Sequence, residues 1–156
     1  ALDIGSSTGG FTQILLENEV SKVTCVDVGS NQLHERIKHH PKISFFENTD
    51  IRNFQSEEIF KIVTCDVSFI SILNILNDIN RLAPKDIIIL FKPQFEVGTN
   101  VKRDKKGVVK DKNAILRARQ KFVDSTLALN WNLKYSSLSK LQGKDGNEEE
   151  LFYFSK

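Results

Sequence analysis

Short apolar runs, none longer than a strand, alternate along this chain with segments of helical periodicity, and that alternation admits few architectures. Residues 1–4, 22–27, 43–46, 59–66 and 86–92 have the near-continuous apolar character of strands covered on both faces. Residues 11–18, 31–40 and 70–82 lie between them and read as helices. In the third, Ile72, Ile75, Leu76 and Ile79 recur at helical spacing. A further helix is expected over 112–128. Residues 130–141 and 150–155 then read as two closing strands, joined by a hairpin-type turn at Gly143-Lys144-Asp145-Gly146-Asn147. The expected fold is therefore α/β, a mostly parallel, doubly wound sheet ending in an antiparallel hairpin. Residues 93–109 carry no such pattern and predict a long structureless loop, which inside a compact domain is usually functional.

The 156 residues suit one domain with one core, so residues 1–156 are read as a single unit. The longest apolar run, residues 87–91, is far short of the roughly 20 residues a membrane helix needs. No signal peptide is evident at the N-terminus. Cys25 and Cys65 sit in apolar runs, too far apart for a metal pair, and are expected to be reduced and buried. His39 and His40 are adjacent and do not share a helix face with each other, so no metal site is expected near His34 either. These features predict a cytoplasmic protein without membrane attachment and disfavour a secreted or pore-forming toxin. Because the chain opens inside a strand, an upstream segment is also expected.

The net charge of +2 hides an asymmetry. Residues 92–121 hold ten basic and three acidic side chains, a local charge of +7, which leaves −5 for the remainder. A basic stripe on a near-neutral protein points to a polyanionic partner.

Asp3-Ile4-Gly5-Ser6-Ser7-Thr8-Gly9-Gly10-Phe11 follows the first strand and opens a helix. Gly5 would let the chain turn sharply, and Gly9 and Gly10 would let backbone approach a ligand. The spacing is G-x-x-x-G-G. It lacks the middle glycine of the dinucleotide fingerprint and the Gly-Lys-Ser/Thr of a P-loop. A ligand with an amino-acid group and a ribose fits better than one with a pyrophosphate. Asp27 ends the second strand, 22 residues after Gly5, where a carboxylate can accept both ribose hydroxyls. Asp50 follows the third strand and could meet an adenine amino group through itself or its neighbours. Together these favour S-adenosylmethionine over NAD.

The fourth strand ends at Asp66 and the fifth at Lys92, and in this architecture neighbouring carboxyl ends share one crevice. Asp66 and Lys92 are expected to face each other beside the donor. No Asn/Asp-Pro-Pro-aromatic run follows the fourth strand, as methylation of a base amino group would usually show. Cys65 should point away from the Asp66 face, so it is not placed for attack on a pyrimidine carbon. A Lys–Asp pair suits a hydroxyl nucleophile. Lysine can orient the hydroxyl and favour its developing charge, while aspartate holds the ammonium. Phe69 and Phe95 adjoin these residues and could stack on a flipped base, and Trp131 is expected in core or edge packing.

At these residues the chain resembles the TlyA (haemolysin A-like) family of ribosomal RNA ribose methyltransferases, within the FtsJ/RrmJ-like group. The resemblance rests on the run from Ala1 to Thr12, on Val26-Asp27-Val28-Gly29 with Gln32-Leu33, and on Asp66-Val67-Ser68-Phe69-Ile70-Ser71. It continues through Lys92-Pro93-Gln94-Phe95-Glu96, Gly107-Val108-Val109-Lys110-Asp111 and Gly146-Asn147-Glu148-Glu149. It implies a Rossmann-like S-adenosylmethionine-dependent fold and methyl transfer to the 2′-hydroxyl of a cytidine in ribosomal RNA, with rRNA or a ribosomal subunit as partner. The expected donor site comprises Asp3, Gly5, Ser6, Ser7, Thr8, Gly9, Gly10, Phe11, Asp27 with Val28, Asp50 with Ile51, and Asp66. The group's Lys-Asp-Lys-Glu tetrad would take Asp66 as its second member, Lys92 as its third and Glu149 as its fourth, with Glu148 and Glu150 flanking that last position. Its first lysine and a small RNA-binding domain would lie upstream. Lys102, Arg103, Lys105, Lys106 and Lys110 are expected on RNA phosphates. The competing readings are a non-catalytic RNA- or nucleotide-binding module, a membrane-active haemolysin-like protein and an NAD-dependent oxidoreductase.

Overall fold

The computed structural model describes every residue except Pro84, Gln142, Lys144 and Asp145. Its strands are β1 (Leu2–Ile4), β2 (Val23–Val26), β3 (Ile43–Phe46), β4 (Ile62–Cys65), β5 (Asp86–Phe91), β6 (Asn132–Leu138) and β7 (Glu150–Ser155). Its helices are α1 (Gly10–Glu17), α2 (Glu35–Lys38), α3 (Leu76–Leu82), α4 (Pro93–Glu96) and α5 (Lys112–Ala128), with a 3-10 turn at Ile72–Asn74. One seven-stranded sheet runs in the order β3-β2-β1-β4-β5-β7-β6. The pairings among β1 to β5 are parallel, and β7 inserts antiparallel between β5 and β6. The chain leaves β1 toward β2 and β3, then returns to β4 and β5 on the other side. This puts the topological switch, where α/β sheets bind ligands, between β1 and β4.

Most of the core lies on one face of the sheet. Leu2, Ile4, Val63, Cys65, Ile87, Ile89 and Phe91 pack there against α3 and α5. In α5, Ala114, Ala118, Phe122 and Thr126 recur every fourth residue and make its buried stripe. Phe122 touches the rings of Phe91, Phe152 and Phe154 at centroid separations of 5.4, 5.1 and 5.8 Å. Trp131 is buried as expected and donates its indole N–H to Asn80. A smaller cluster of Leu15, Val23 and Cys25 lies under α1.

Three expectations are corrected. The helix expected over 31–40 shrinks to α2, because Asn31 takes a left-handed φ of 53° and the His34 side chain caps the helix at Arg36 N. The segment 70–82 is divided: Ser71 caps the 3-10 turn, and Ile75, at φ −124°, separates that turn from α3. The 93–109 loop is not structureless. It begins with α4, since Pro93 supplies the fixed φ of a first helical position. It then folds on itself through an antiparallel bridge between Arg103 and Val109. The turn expected at residues 143–147 falls partly on Lys144 and Asp145, outside the described residues. Among the described residues no helix is long and apolar enough to cross a membrane.

Phe122 joins helix α5 to three aromatic rings of the sheet, so truncation leaves a cavity that those rings cannot fill. Phe122→Ala is expected to cost about 3–5 kcal/mol. The check is a lowered urea midpoint at unchanged m-value.

Candidate active site

The carboxyl ends of β1, β2, β4 and β5 meet at one end of the sheet. Gly5, in a left-handed conformation at φ 73°, turns the chain out of β1. A Cβ there would stand 2.5 Å from the backbone oxygen of Asp66, so only glycine lets these two strand ends come together. Beside this junction is a cavity of about 370 Å³, lined by Gly5, Ser7, Asp27, Val28, Asp50 and Ile51 on one side and by Asp66 to Ile70 on the other. That volume lies within the roughly 300–1,000 Å³ typical of small-molecule clefts.

Asp27 is held rigidly at the lip of this cavity. One carboxylate oxygen accepts from Ser7 N and the other from Gly29 N, both at 2.7 Å. Each oxygen keeps a further lone pair for a ligand. Asp50 is clamped by Arg52 through its side chain and backbone, and the guanidinium holds the Asp50 carboxyl below the usual carboxylate range.

Of the thirteen expected donor-site residues, seven line the cavity: Gly5, Ser7, Asp27, Val28, Asp50, Ile51 and Asp66. The other six do not, for local reasons. Asp3 is fully buried beneath the turn and accepts from Thr12 and Thr64 hydroxyls at 2.5 and 2.8 Å. Ser6 is buried inside the turn, its carbonyl accepting from Gly9 N. Thr8, Gly9 and Gly10 border a separate depression against α2, and Phe11 belongs to the first turn of α1. Gly9 holds a left-handed φ of 99°, which favours glycine, and the Ile37 side chain from α2 packs where its Cβ would stand.

Asp66 and Lys92 come together as expected. Lys92 Nζ is 2.5 Å from Asp66 Oδ1 and donates to Ser68 Oγ at 3.0 Å. Its side chain is only 12% exposed. The ammonium approaches Asp66 Oδ1 off the line a hydrogen bond needs, so that oxygen has a charge beside it but no aligned donor. Phe69, two residues along the cavity wall from Val67, is 93% exposed, holds a left-handed φ of 66° and packs on Phe95 at 5.3 Å. A bulky residue in that conformation costs on the order of 1–3 kcal/mol and is found mostly at functional sites. Burial pushes the Cys65 thiol up and the Cys25 thiol up to about 11, so neither is a thiolate nucleophile.

The three glutamates at the start of β7 go separate ways. Glu150 pairs with Phe91 in the β5–β7 ladder and takes both oxygens to Arg119 at 2.7 Å. Glu148 is exposed. Glu149 is buried; one step beyond the last ladder pair places it across from Lys92, and it accepts from Gln94 Nε2 at 3.1 Å. Two residues in this region carry roles that motif reading did not assign. Gln94 reaches Glu149. Glu96 accepts from Ser71 Oγ at 2.6 Å and Ile72 N at 2.8 Å, and burial pushes its carboxyl up. Their partners are 24 to 55 residues away in sequence, and no local pattern announces such pairings.

The basic loop divides likewise. Lys102, Lys105 and Lys106 are exposed and have no ion-pair partner among the described residues. Arg103 differs from expectation: its guanidinium turns inward and donates to the carbonyls of Gln94, Gly98, Thr99 and Val101. Lys110 pairs with Asp104 at 3.2 Å.

The family model described as FtsJ-like methyltransferase matches residues 1–156. A Campylobacter jejuni protein named 23S rRNA (cytidine-2′-O)-methyltransferase TlyA is 58% identical over 155 residues, 99% of this chain and 61% of that protein. A Mycobacterium tuberculosis 16S/23S rRNA (cytidine-2′-O)-methyltransferase TlyA is 37% identical over 159 residues, covering 97% of this chain and 58% of that protein. The chain thus spans about three fifths of the length of these relatives. A solved structure from Lactococcus lactis, carrying a hemolysin name, superimposes at a TM-score of 0.92 with 33% identity, over 99% of this chain and 76% of that one.

Asp3 beneath the turn gives a pH signature. Burial raises its carboxyl above the ordinary value, against the pull of the Thr12 and Thr64 hydroxyls. A carboxyl that holds its proton more tightly when folded favours folding below its unfolded value of about 3.9. That contribution is lost as pH rises above it. Relative to wild type, Asp3→Asn is therefore expected to gain stability between pH 4 and 7, whatever its constant cost in hydrogen bonding. Paired urea titrations across that range test it, and parallel curves for the two proteins would contradict it.

Proposed function

The chain belongs to the FtsJ-like methyltransferase family, and we propose that it transfers a methyl group from S-adenosylmethionine to the ribose 2′-hydroxyl of a cytidine in ribosomal RNA. The observation that carries this reading is the Lys92–Asp66 couple, whose aspartate lines a nucleoside-sized cavity. The residues present suit the donor. Asp27 offers two oriented carboxylate oxygens to a ribose diol, and Val28 and Ile51 offer apolar surface to a base. When bound, the donor supplies an electrophilic methyl group on a sulfonium.

The chain's own residues do the rest. The Lys92 ammonium, largely withdrawn from water, holds the attacking hydroxyl and stabilises the charge that develops on its oxygen. Asp66 and Ser68 fix the direction of that ammonium. Asp66 Oδ1 is buried against the ammonium, and the other carboxylate oxygen, Oδ2, is the acceptor the couple offers for the proton the hydroxyl gives up. Glu149 faces the same end of the sheet as the fourth polar member. Phe69 and Phe95 present ring surface beside the couple for a base drawn out of its stack. Positioning of this kind supplies up to about 7–11 kcal/mol, and proton transfer adds about 10²–10⁴ in rate. The exposed Lys102, Lys105 and Lys106 supply phosphate contacts, which set position and not sequence.

In the full-length protein, Lys92→Ala is expected to lower methyl transfer to rRNA by about 10²–10⁴-fold. Donor binding measured by calorimetry should stay within a few-fold of wild type. Near-normal single-turnover methylation by that variant would remove Lys92 from the reaction. Lys105→Ala should weaken RNA binding across sequences and reduce the slope of log affinity against log salt by about one unit. An unchanged slope would return Lys105 to the solvated surface.

A further inference from the structure

Two segments leave neighbouring strand ends side by side: residues 66–72 after β4, of which 66–70 line the cavity, and residues 92–96 after β5. They touch at three levels. At the front Lys92 meets Asp66 and Ser68. In the middle the Phe69 and Phe95 rings pack 5.3 Å apart. At the back the Glu96 carboxylate accepts from Ser71 Oγ and from Ile72 N, where the 3-10 turn begins. Ser71 already caps its own turn by accepting from Leu73 N. Glu96 therefore completes that cap from a different strand end, binding one carboxylate to two donors.

This back tie lies away from the cavity wall, whose lining residues do not include Glu96. Its reach is through the backbone. With Ile72 anchored and Asp66 N bonded to Ile4 O at 2.9 Å, the five residues between must double back, and Phe69 takes the left-handed conformation that closes the path. Lys92 and Glu96 sit at the two ends of α4, so an anchored Glu96 also fixes where the Lys92 side chain sets out. Among residues 92–96, Lys92 and Glu96 are the two charged side chains, and each is spent on the β4 segment.

We propose that Glu96 is a positioning residue, whose tie to Ser71 and Ile72 sets the placement of Lys92 against Asp66 and of Phe69 over the crevice. This rests on the methyltransferase reading above. A misplacement of about 1 Å at a reacting centre costs on the order of 10²-fold in rate.

The test uses the full-length protein with rRNA, comparing wild type, Glu96→Ala, Glu96→Gln and Glu96→Leu. Wild-type methylation of the RNA is the first reading. Its absence would sink the function proposed above, whatever Glu96 does. Given an active wild type, Glu96→Ala should lower the single-turnover rate by about 10²-fold. Its dissociation constant for S-adenosylhomocysteine should stay within a few-fold, because Asp27, Ser7 and Gly5 are untouched. Glu96→Gln can still accept from Ile72 N and donate to Ser71 Oγ, and should recover most of the lost rate. Glu96→Leu fills the same volume without the tie and should recover thermal stability but not rate. Recovery of rate by the leucine variant, or an alanine variant as fast as wild type, would overturn the proposal and leave Glu96 as packing. Loss of donor binding in step with rate would overturn it too, by assigning Glu96 to the architecture of the whole cavity.

Discussion

A lysine and an aspartate cannot be held half out of water at neighbouring strand ends unless each answers the other. A buried charge without a partner costs several kcal/mol, and the pair Lys92–Asp66 avoids this by closing to 2.5 Å. Much of this end of the sheet follows from that contact. β4 and β5 must stop level with each other, which their parallel register provides: Cys65 pairs with Ile89, so Asp66 and Lys92 are reached within a few residues of one another. Pro93 ends the strand directly after the lysine. Gly5 brings the neighbouring turn against the Asp66 carbonyl, so the aspartate belongs at once to the cavity and to the couple. A side chain on Gly5 would push these two roles apart.

The frame of this arrangement was legible because it depends on features close in sequence. Continuous apolar runs marked β1 to β5, and the strand ends at Asp27, Asp66 and Lys92 stood where a doubly wound sheet gathers its ligand groups. The β5–β7–β6 ending was legible from two late strand patterns. What escaped was decided by distant partners. Gly9 holds a left-handed φ of 99°, and the space a Cβ would take there is filled by Leu33, just before α2, and Ile37, on it. Arg103 reads as one more cation of a basic stripe, yet four carbonyls of its own loop claim it. Alternation along an extended strand separated Glu149 from Glu148 and Glu150. It did not say which face was which, and Arg119, 31 residues before Glu150, decides that by taking Glu150.

The loop after β5 shows how a segment without periodicity can still be well determined. A guanidinium has five N–H donors, enough to replace a ladder where none exists. Asp104 adds an acceptor for Lys106 N and Val108 N, and Val109 N reaches Asn147 Oδ1. The lysines that remain outward are therefore displayed on a self-bonded frame. Less conformational entropy is lost on meeting a polyanion than a free chain would lose.

The pairing of β7 with β5 has a meaning beyond cohesion. Successive side chains on a strand point to opposite faces, so sliding β7 by a single residue would exchange its acids wholesale. Glu150 would then swing toward Lys92 and desert Arg119, whose cation also rests 5.0 Å over the Phe152 ring. Helix α5 would lose its grip on the sheet by the same slip that put a foreign carboxylate in the crevice. Misthreading of this hairpin is thus self-punishing, and the chemistry is proofread by the architecture.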